Sequence, residues 1–321
     1  MIYKKDKKNN LIYPVIISAS RRTDIPAFFS EWFIDKLKKG YLIWKNPFNQ
    51  KNYVVSFKNT RLIVFWTKYA EPVIKYLNLI DEMGFNYYFT YTVNDYEDEN
   101  LEPNVPSLEK RIKNFIELSK RIGKEKVIWR FDPLLLSDKI TVDKLIKKIK
   151  KAGNEIFKYT EKLVISFADI NVYKKVQKNL GKLNDNYREF KENEMRTIAK
   201  NLSKLAQKWN IDVATCAEKI NLSEYNIKHN RCIDPDLILK LFGNDLELMK
   251  YLGVSDNKTF KLNFKKLKDK GQRRECGCIK SKDIGYYNTC MHLCRYCYAN
   301  FSDELVKINI TRYKKENESI I

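Results

Sequence analysis

The chain has 321 residues, enough to bury a full α/β core. Its 44% hydrophobic content, with 20 Tyr and 17 Phe, excludes a disordered polypeptide. No stretch approaches the ~18–20 consecutive apolar residues of a membrane helix, so no membrane partner is expected. The formal charge of +21 admits nucleic acid as a partner through counterion release at phosphates, but dispersed lysines from AT-rich coding account for it as well.

Residues 1–13 are polar and basic and read as a frayed tail. The lysines of 4–8 before a short apolar run imitate a signal peptide. Pro14 interrupts that run, which is better read as a buried first strand at 15–18. The expected compartment is therefore the reducing cytosol, where clustered cysteines suggest metal rather than disulfides. Thr23 or Asp24 caps a helix with Pro26 in its first turn, which runs to about residue 39 and stops at Gly40. Residues 41–60 read as an irregular excursion or a hairpin. Apolar runs at 61–66, 87–92, 127–130, 162–167 and 212–216 read as further strands. Helices are expected at 70–83, 107–123, from 138 or 141 onward, and at 192–209, while 170–191 is ambiguous.

Strands that alternate with helices predict parallel pairing with right-handed crossovers. No Gly-rich phosphate loop follows a strand, which disfavours a nucleotide-binding doubly wound sheet. The predicted fold class is α/β, a partial or closed parallel (β/α) barrel. Residues 1–235 form the barrel body, and 236–321 form a cysteine-rich segment packed on its rim. Active sites of such barrels lie where the strands end. Those ends carry Ser18, Ser20, Arg21, Asp24, Thr90, Thr92, Asn94, Arg130 and Asp132. Local capping by Ser, Thr and Asp explains about half of them, and Arg21 and Arg130 are harder to explain as caps.

The densest motif lies in Asn288-Thr-Cys290-Met-His-Leu-Cys294-Arg-Tyr296-Cys297-Tyr298-Ala-Asn300, three cysteines at Cys-x3-Cys-x2-Cys spacing. Zinc would need a fourth ligand, whereas on a four-iron cluster three cysteines leave one iron open. With Tyr296 before the last cysteine, the motif resembles the cluster loop of radical S-adenosylmethionine (SAM) enzymes. The resemblance implies a [4Fe-4S] cluster on Cys290, Cys294 and Cys297 that chelates SAM. An electron donor reduces the cluster, and SAM is cleaved to methionine and a 5′-deoxyadenosyl radical that acts on a substrate. It also implies that Tyr296 covers the cluster edge near the adenine.

The stretches Ser18-Ala-Ser-Arg-Arg-Thr-Asp24-Ile-Pro26 and Val127-Ile-Trp-Arg130-Phe-Asp132-Pro133, together with the cysteine-rich end, resemble the family DUF1848. Its C-terminal cysteines have been likened to the radical SAM loop, and it supplies no substrate. Radical SAM loops usually come early in the chain and follow the first strand. Here residues 283–287 would be that strand, with 15–18 beside it, so the order reads as a circular permutation. By the resemblance, Ser18, Ser20 and Asp24 fall near the SAM amino group, and Thr90, Thr92 and Asn94 near the ribose. The usual Gly-Gly-Glu signature is absent. Arg21, Asp24, Arg130 and Asp132 are the candidates for orienting substrate or SAM.

Cys216, Cys232, Cys276 and Cys278 remain, a full ligand count for a second iron–sulfur cluster or, less favoured, zinc. The metal reading is favoured over the alternative that Cys216 and Cys232 are small buried hydrophobes. His292 is expected to be solvated in its loop, and His229 is a minor candidate ligand near Cys232. The competing function class is a metal-stabilised nucleic-acid-binding or electron-transfer protein without SAM chemistry.

Overall fold

The computed structural model describes residues 4–6, 10–254 and 264–321. Eight strands make the main sheet: β1 Ile16–Ala19, β2 Leu62–Thr67, β3 Asn86–Thr92, β4 Val127–Leu134, β5 Lys162–Phe167, β6 Asp212–Thr215, β7 Lys228–His229 and β8 Lys282–Asp283. Their spatial order is β7-β6-β5-β4-β3-β2-β1-β8, and every neighbouring pair is parallel. The expected strands are thus found within a residue or two, except that β4 continues to Leu134 and the strand expected at 283–287 is only Lys282–Asp283. The strand before the cysteine loop lies beside the first strand, with Lys282 opposite Ile17 and Asp283 opposite Ser18.

Alternation along each strand divides the side chains between two cores. Ile17, Ile63, Phe65, Phe89, Tyr91, Trp129 and Ile165 face one core, shared with helices Leu108–Ile122, Val142–Ile156 and Glu192–Trp209. Ile16, Leu62, Val64, Tyr88, Ile128 and Val164 face the other, covered by helices Pro235–Phe242 and Leu246–Leu252. The first part of the C-terminal segment therefore covers the second face of the sheet, and Ile284, Tyr286, Cys294 and Tyr296 join the first core.

Three expectations change. Leu11–Tyr13 is not a frayed tail: it pairs with Asn52–Ser56 and Lys4–Asp6, and Ile12 is buried. Residues 1–3 and 7–9 of that expected tail lie outside the described residues. The first helix is two, Ile25–Phe28 and Ser30–Lys39, because Phe29 at φ −131° leaves helical geometry and packs its ring on Tyr313. The expected 70–83 helix is likewise two, Glu71–Ile74 and Leu77–Glu82. The excursion is a hairpin of Tyr41–Lys45 and Asn52–Ser56, and the ambiguous segment holds a helix at Lys174–Leu180. No helix among the described residues is long and apolar enough to cross a membrane.

Candidate metal and substrate site

The face of the sheet that packs on helices 235–252 changes character along its strands. It is apolar where they begin, at Ile16, Val64, Tyr88, Ile128 and Val164. Two residues further on it becomes polar, at Ser18, Thr90, Arg130 and Ser166, and then at Thr92 and Asp132. Parallel register sets these side by side: Trp66 opposite Thr90, and Thr92 opposite Arg130. Five residues singled out from the sequence, Ser18, Thr90, Thr92, Arg130 and Asp132, therefore share one face at the C-terminal edge of the sheet.

The three-cysteine loop leaves the same edge after β8. It is held by Thr289 Oγ1 donating to the Tyr286 carbonyl (2.8 Å), Asn300 Nδ2 to Cys290 O (2.8 Å), Arg295 N to Leu101 O (2.9 Å) and Asn104 Nδ2 to Met291 O (2.9 Å). Leu293 adopts φ 54°, in the left-handed region that costs a branched residue roughly 1–2 kcal/mol. The three thiols are close enough to repel one another's ionisation. Burial pushes Cys290 up to about 12 and Cys294 well above the usual thiol range, and it raises Cys297 despite backbone N–H groups at Ala299 and Asn300. Lys68 favours the thiolates of Cys294 and Cys297 without offsetting burial.

Two buried carboxylates brace this loop. Asp24 accepts from Ala27 N (2.9 Å) and Thr67 Oγ1 (2.8 Å) through one oxygen, and from Lys68 N (2.7 Å) through the other. That second oxygen also meets His292 Nε2 at 2.9 Å. All four contacts are with the protein itself, so Asp24 stands in a positioning role, anchoring the loop to β2. The expected solvation of His292 is overturned: it is 2% exposed and packs on Phe28, because its ring fills the space between the loop and the first helix. His229 is exposed on β7, with its nearest partner Thr215 at 3.5 Å.

Glu102 is the second brace. It accepts from Lys68 Nζ (2.7 Å), Asn94 Nδ2 (3.0 Å) and the Tyr296 hydroxyl, and Arg111 lies 3.5 Å away. Burial would raise its pKa, but Lys68 and Arg111 outweigh burial and hold it down to about 2. The Tyr296 hydroxyl is thus turned into the body of the protein. Asn94 is also fully engaged, accepting from Asp132 N (2.9 Å) and donating to Tyr296 and Asp132 O. Thr90 donates to Phe65 O (3.2 Å), and Thr92 is half-buried at the end of β3. Lys68 was expected at the rim, as a polar residue at the end of a strand, but Glu102 and Arg111 were missed because nothing in a polar loop or a helix marks which charge turns inward.

Asp283 was missed as well. It receives Ser20 Oγ (2.8 Å), Ser18 Oγ (3.4 Å), Arg21 N (2.9 Å) and Gly285 N (3.0 Å). These bonds join the ends of β1 and β8 and occupy the two serines expected near the SAM amino group. Burial would raise the Asp283 pKa, but Arg22 and Arg21 hold it below the usual carboxylate range. Gly285 is required by close approach: an added Cβ would stand 1.9 Å from Ser20 Oγ.

The other four cysteines converge from three segments. Cys216 Sγ lies 3.5 Å from Cys232 Sγ; Cys232 in turn contacts Cys278, and Cys278 contacts Cys276. Cys232 Sγ also receives Arg130 Nη1 (2.8 Å) and Asn230 Nδ2 (3.2 Å). The guanidinium groups of Arg21 and Arg130 lie 4.7 and 5.4 Å from the Trp66 ring. Arg21 is in electrostatic range of Cys278 and Cys232, and its Nη2 is buried without a hydrogen-bond partner. Arg130 also pairs with Asp132, which in turn accepts from Ser166. Burial would raise the Asp132 pKa, but Arg130 and Ser166 keep it low. Contact with Cys232, then burial, raises the Cys216 thiol far above normal, whereas Cys278 lowers Cys276.

Among the described residues, no group of three or more His, Cys, Asp or Glu side chains is drawn together to hold a metal ion as it stands. The donor chemistry nevertheless fits iron–sulfur centres. A cubane separates its thiolate ligands with its own irons and sulfides, so they need not converge on one point. Buried thiols raised by desolvation lose their protons on binding metal, which relieves that penalty.

The family model described as "Domain of unknown function (DUF1848)" matches residues 16–299. The chain belongs to this family. No curated protein matches it. Among solved structures, a provisionally named alpha-L-fucosidase from Bacteroides thetaiotaomicron VPI-5482 matches with 11% identity over 61% of this chain and 85% of that one. Its TM-score is 0.27, too low to bear on fold or chemistry.

Proposed function

We propose that this DUF1848 protein is a radical SAM enzyme on a permuted, partial (β/α) barrel. The observation that carries this reading is that the three-cysteine loop emerges from β8, the spatial neighbour of β1, beside the polar face at the C-terminal edge of the sheet. Cys290, Cys294 and Cys297 would hold a [4Fe-4S] cluster with one iron open to SAM. Cys216, Cys232, Cys276 and Cys278 would hold a second iron–sulfur centre, or zinc. A bound, reduced cluster supplies the electron for cleavage of SAM to a 5′-deoxyadenosyl radical, with the electron drawn from an external donor.

This chain's residues do the positioning. Asp24 with His292, and Glu102 with Lys68 and Tyr296, fix the loop from two sides. The buried Arg130 and the half-buried Arg21 set two cations beside the second thiol set, where they would offset its negative charge when deprotonated. Thr90, Thr92 and Asp132 line the face available to SAM or substrate.

The test uses protein purified and reconstituted without oxygen. Roughly eight irons, with 5′-deoxyadenosine released on adding SAM and dithionite, is the expected result. Zinc in place of iron, with SAM left intact, would overturn the enzyme reading. It would favour a metal-stabilised nucleic-acid-binding or electron-transfer protein.

A further inference from the structure

Outside the hydrogen-bonded cysteine loop lies a cavity of about 710 Å³. It is bounded by the hairpin tip at 47–50, the turn at 172–175 and the outer side of the loop at 285–288, 298 and 301. Its lining includes Lys45, Lys174 and Lys175 and no Asp or Glu side chain. Lys175 spans two environments. It lies over the rings of Phe301 and Tyr287, and it is close enough to Cys297 to favour that thiolate. Burial lowers the pKa of Lys175 itself.

Three of the aromatic groups that line the cavity are unusually open to solvent. Phe48 is 86% exposed, Phe301 51% and Tyr298 41%. Phe48 and Phe301 have no aromatic neighbour within stacking distance among the described residues, and Tyr298 stacks on Tyr173 at 5.7 Å. Large rings left in water beside cations mark a binding surface rather than a core. The charge selects the occupant. SAM carries a net positive charge, which three lysines without an acidic side chain oppose. A flat membrane surface cannot enter a concave site. Flat, apolar bases on an anionic backbone suit both features, since bases stack on open rings while lysines release phosphate counterions.

We propose that this cavity binds a single-stranded nucleic acid, stacking bases on Phe48, Phe301 and Tyr298 and holding phosphates with Lys45, Lys174 and Lys175. As a binding site it stands without any cluster. Its further role, presenting a nucleotide as substrate beside Cys297, rests on the radical SAM reading.

The test is fluorescence anisotropy of a labelled thymidine strand of about ten nucleotides, titrated with the full chain as isolated, at two salt concentrations. Unlabelled single strand, duplex of the same length and inorganic polyphosphate are the competitors. The expected result is salt-sensitive binding that the single strand competes best. The double variant Phe48→Ala/Phe301→Ala should lose roughly tenfold or more in affinity while keeping the salt slope. Lys175→Ala should flatten that slope. Both rings are solvent-exposed, so their truncation leaves the core intact. No binding by the natural chain, equal competition by polyphosphate, or unchanged affinity in the double variant would each overturn the proposal. Strand binding by protein that never forms 5′-deoxyadenosine would sustain this site while removing the radical chemistry.

Discussion

The two cysteine sets were built in opposite ways. Cys290, Cys294 and Cys297 come from one loop, and distant residues serve only to brace it: Asp24 through His292, Glu102 through Tyr296. Cys216, Cys232, Cys276 and Cys278 come from the end of β6 and two later loops, with Arg130 of β4 donating to one sulfur. A local set can keep its spacing whatever the fold does around it. A dispersed set exists only once the sheet has formed. The second should therefore be coupled to global stability, and the first to local anchoring.

The sharpest test of this difference is a pair of substitutions. Cys290→Ala should reduce 5′-deoxyadenosine formation to background and remove about four irons, leaving the thermal midpoint of the metal-free chain within a few degrees. Cys232→Ala should remove the other irons and, by stranding the buried Arg130 Nη1, also lower the stability of the metal-free chain. Equal effects of both on stability would break the comparison.

Arg130→Ala comes next in size. It leaves the half-buried Asp132 carboxylate without its cation, at a cost below that of a fully buried pair, up to about 3 kcal/mol, measurable by urea unfolding.

Glu218 gives a pH-dependent handle on the dispersed set, near Cys216 and Asp169. Burial pushes its carboxyl up to about 7 while Phe167 N donates to it at 2.8 Å. Between the ordinary value of 4.5 and about 7, the folded state holds the proton that the unfolded state has lost. Stability therefore falls as pH rises through that window, by up to about 3 kcal/mol. Glu218→Gln keeps the acceptor but cannot ionise, so unfolding midpoints of the variant should fall less between pH 5 and 8. Parallel pH curves for the two proteins would refute the assignment.

The smallest expected effect lies at the loop brace. Asp24→Asn puts an amide where Lys68 N and His292 meet a carboxylate, leaving a buried donor opposed at a cost of about 1–3 kcal/mol. Iron at the first centre should be lost faster under chelator than in the natural chain, while iron at the second should be unaffected.

Much of this was legible in the chain. Short β-branched and aromatic runs set six strands, Gly40 at φ 79° stopped a helix, and the cysteine spacing marked the first set. The adjacency of residues 283 and 18 was also expected, from the resemblance to radical SAM enzymes, whose cluster loop follows the first strand. The roles of polar residues were less legible. Ser18, Ser20 and Asn94 looked free for a cofactor, yet Asp283, Glu102 and Asp132 use their hydrogen bonds. Sequence places a polar group at a strand end but does not name its partner, which arrives from up to 265 residues away.

By itself, then, the sequence determined what depends on neighbours along the chain: strand and helix periods, the glycine stop and the three thiols on one loop. Tertiary structure alone decided what depends on distant segments meeting. It brought four dispersed thiols beside two arginines, buried His292 against Asp24, and left an aromatic cavity without Asp or Glu side chains open on the outer side of the cysteine loop. Local preferences act over a few residues, whereas burial and charge pairing act through space.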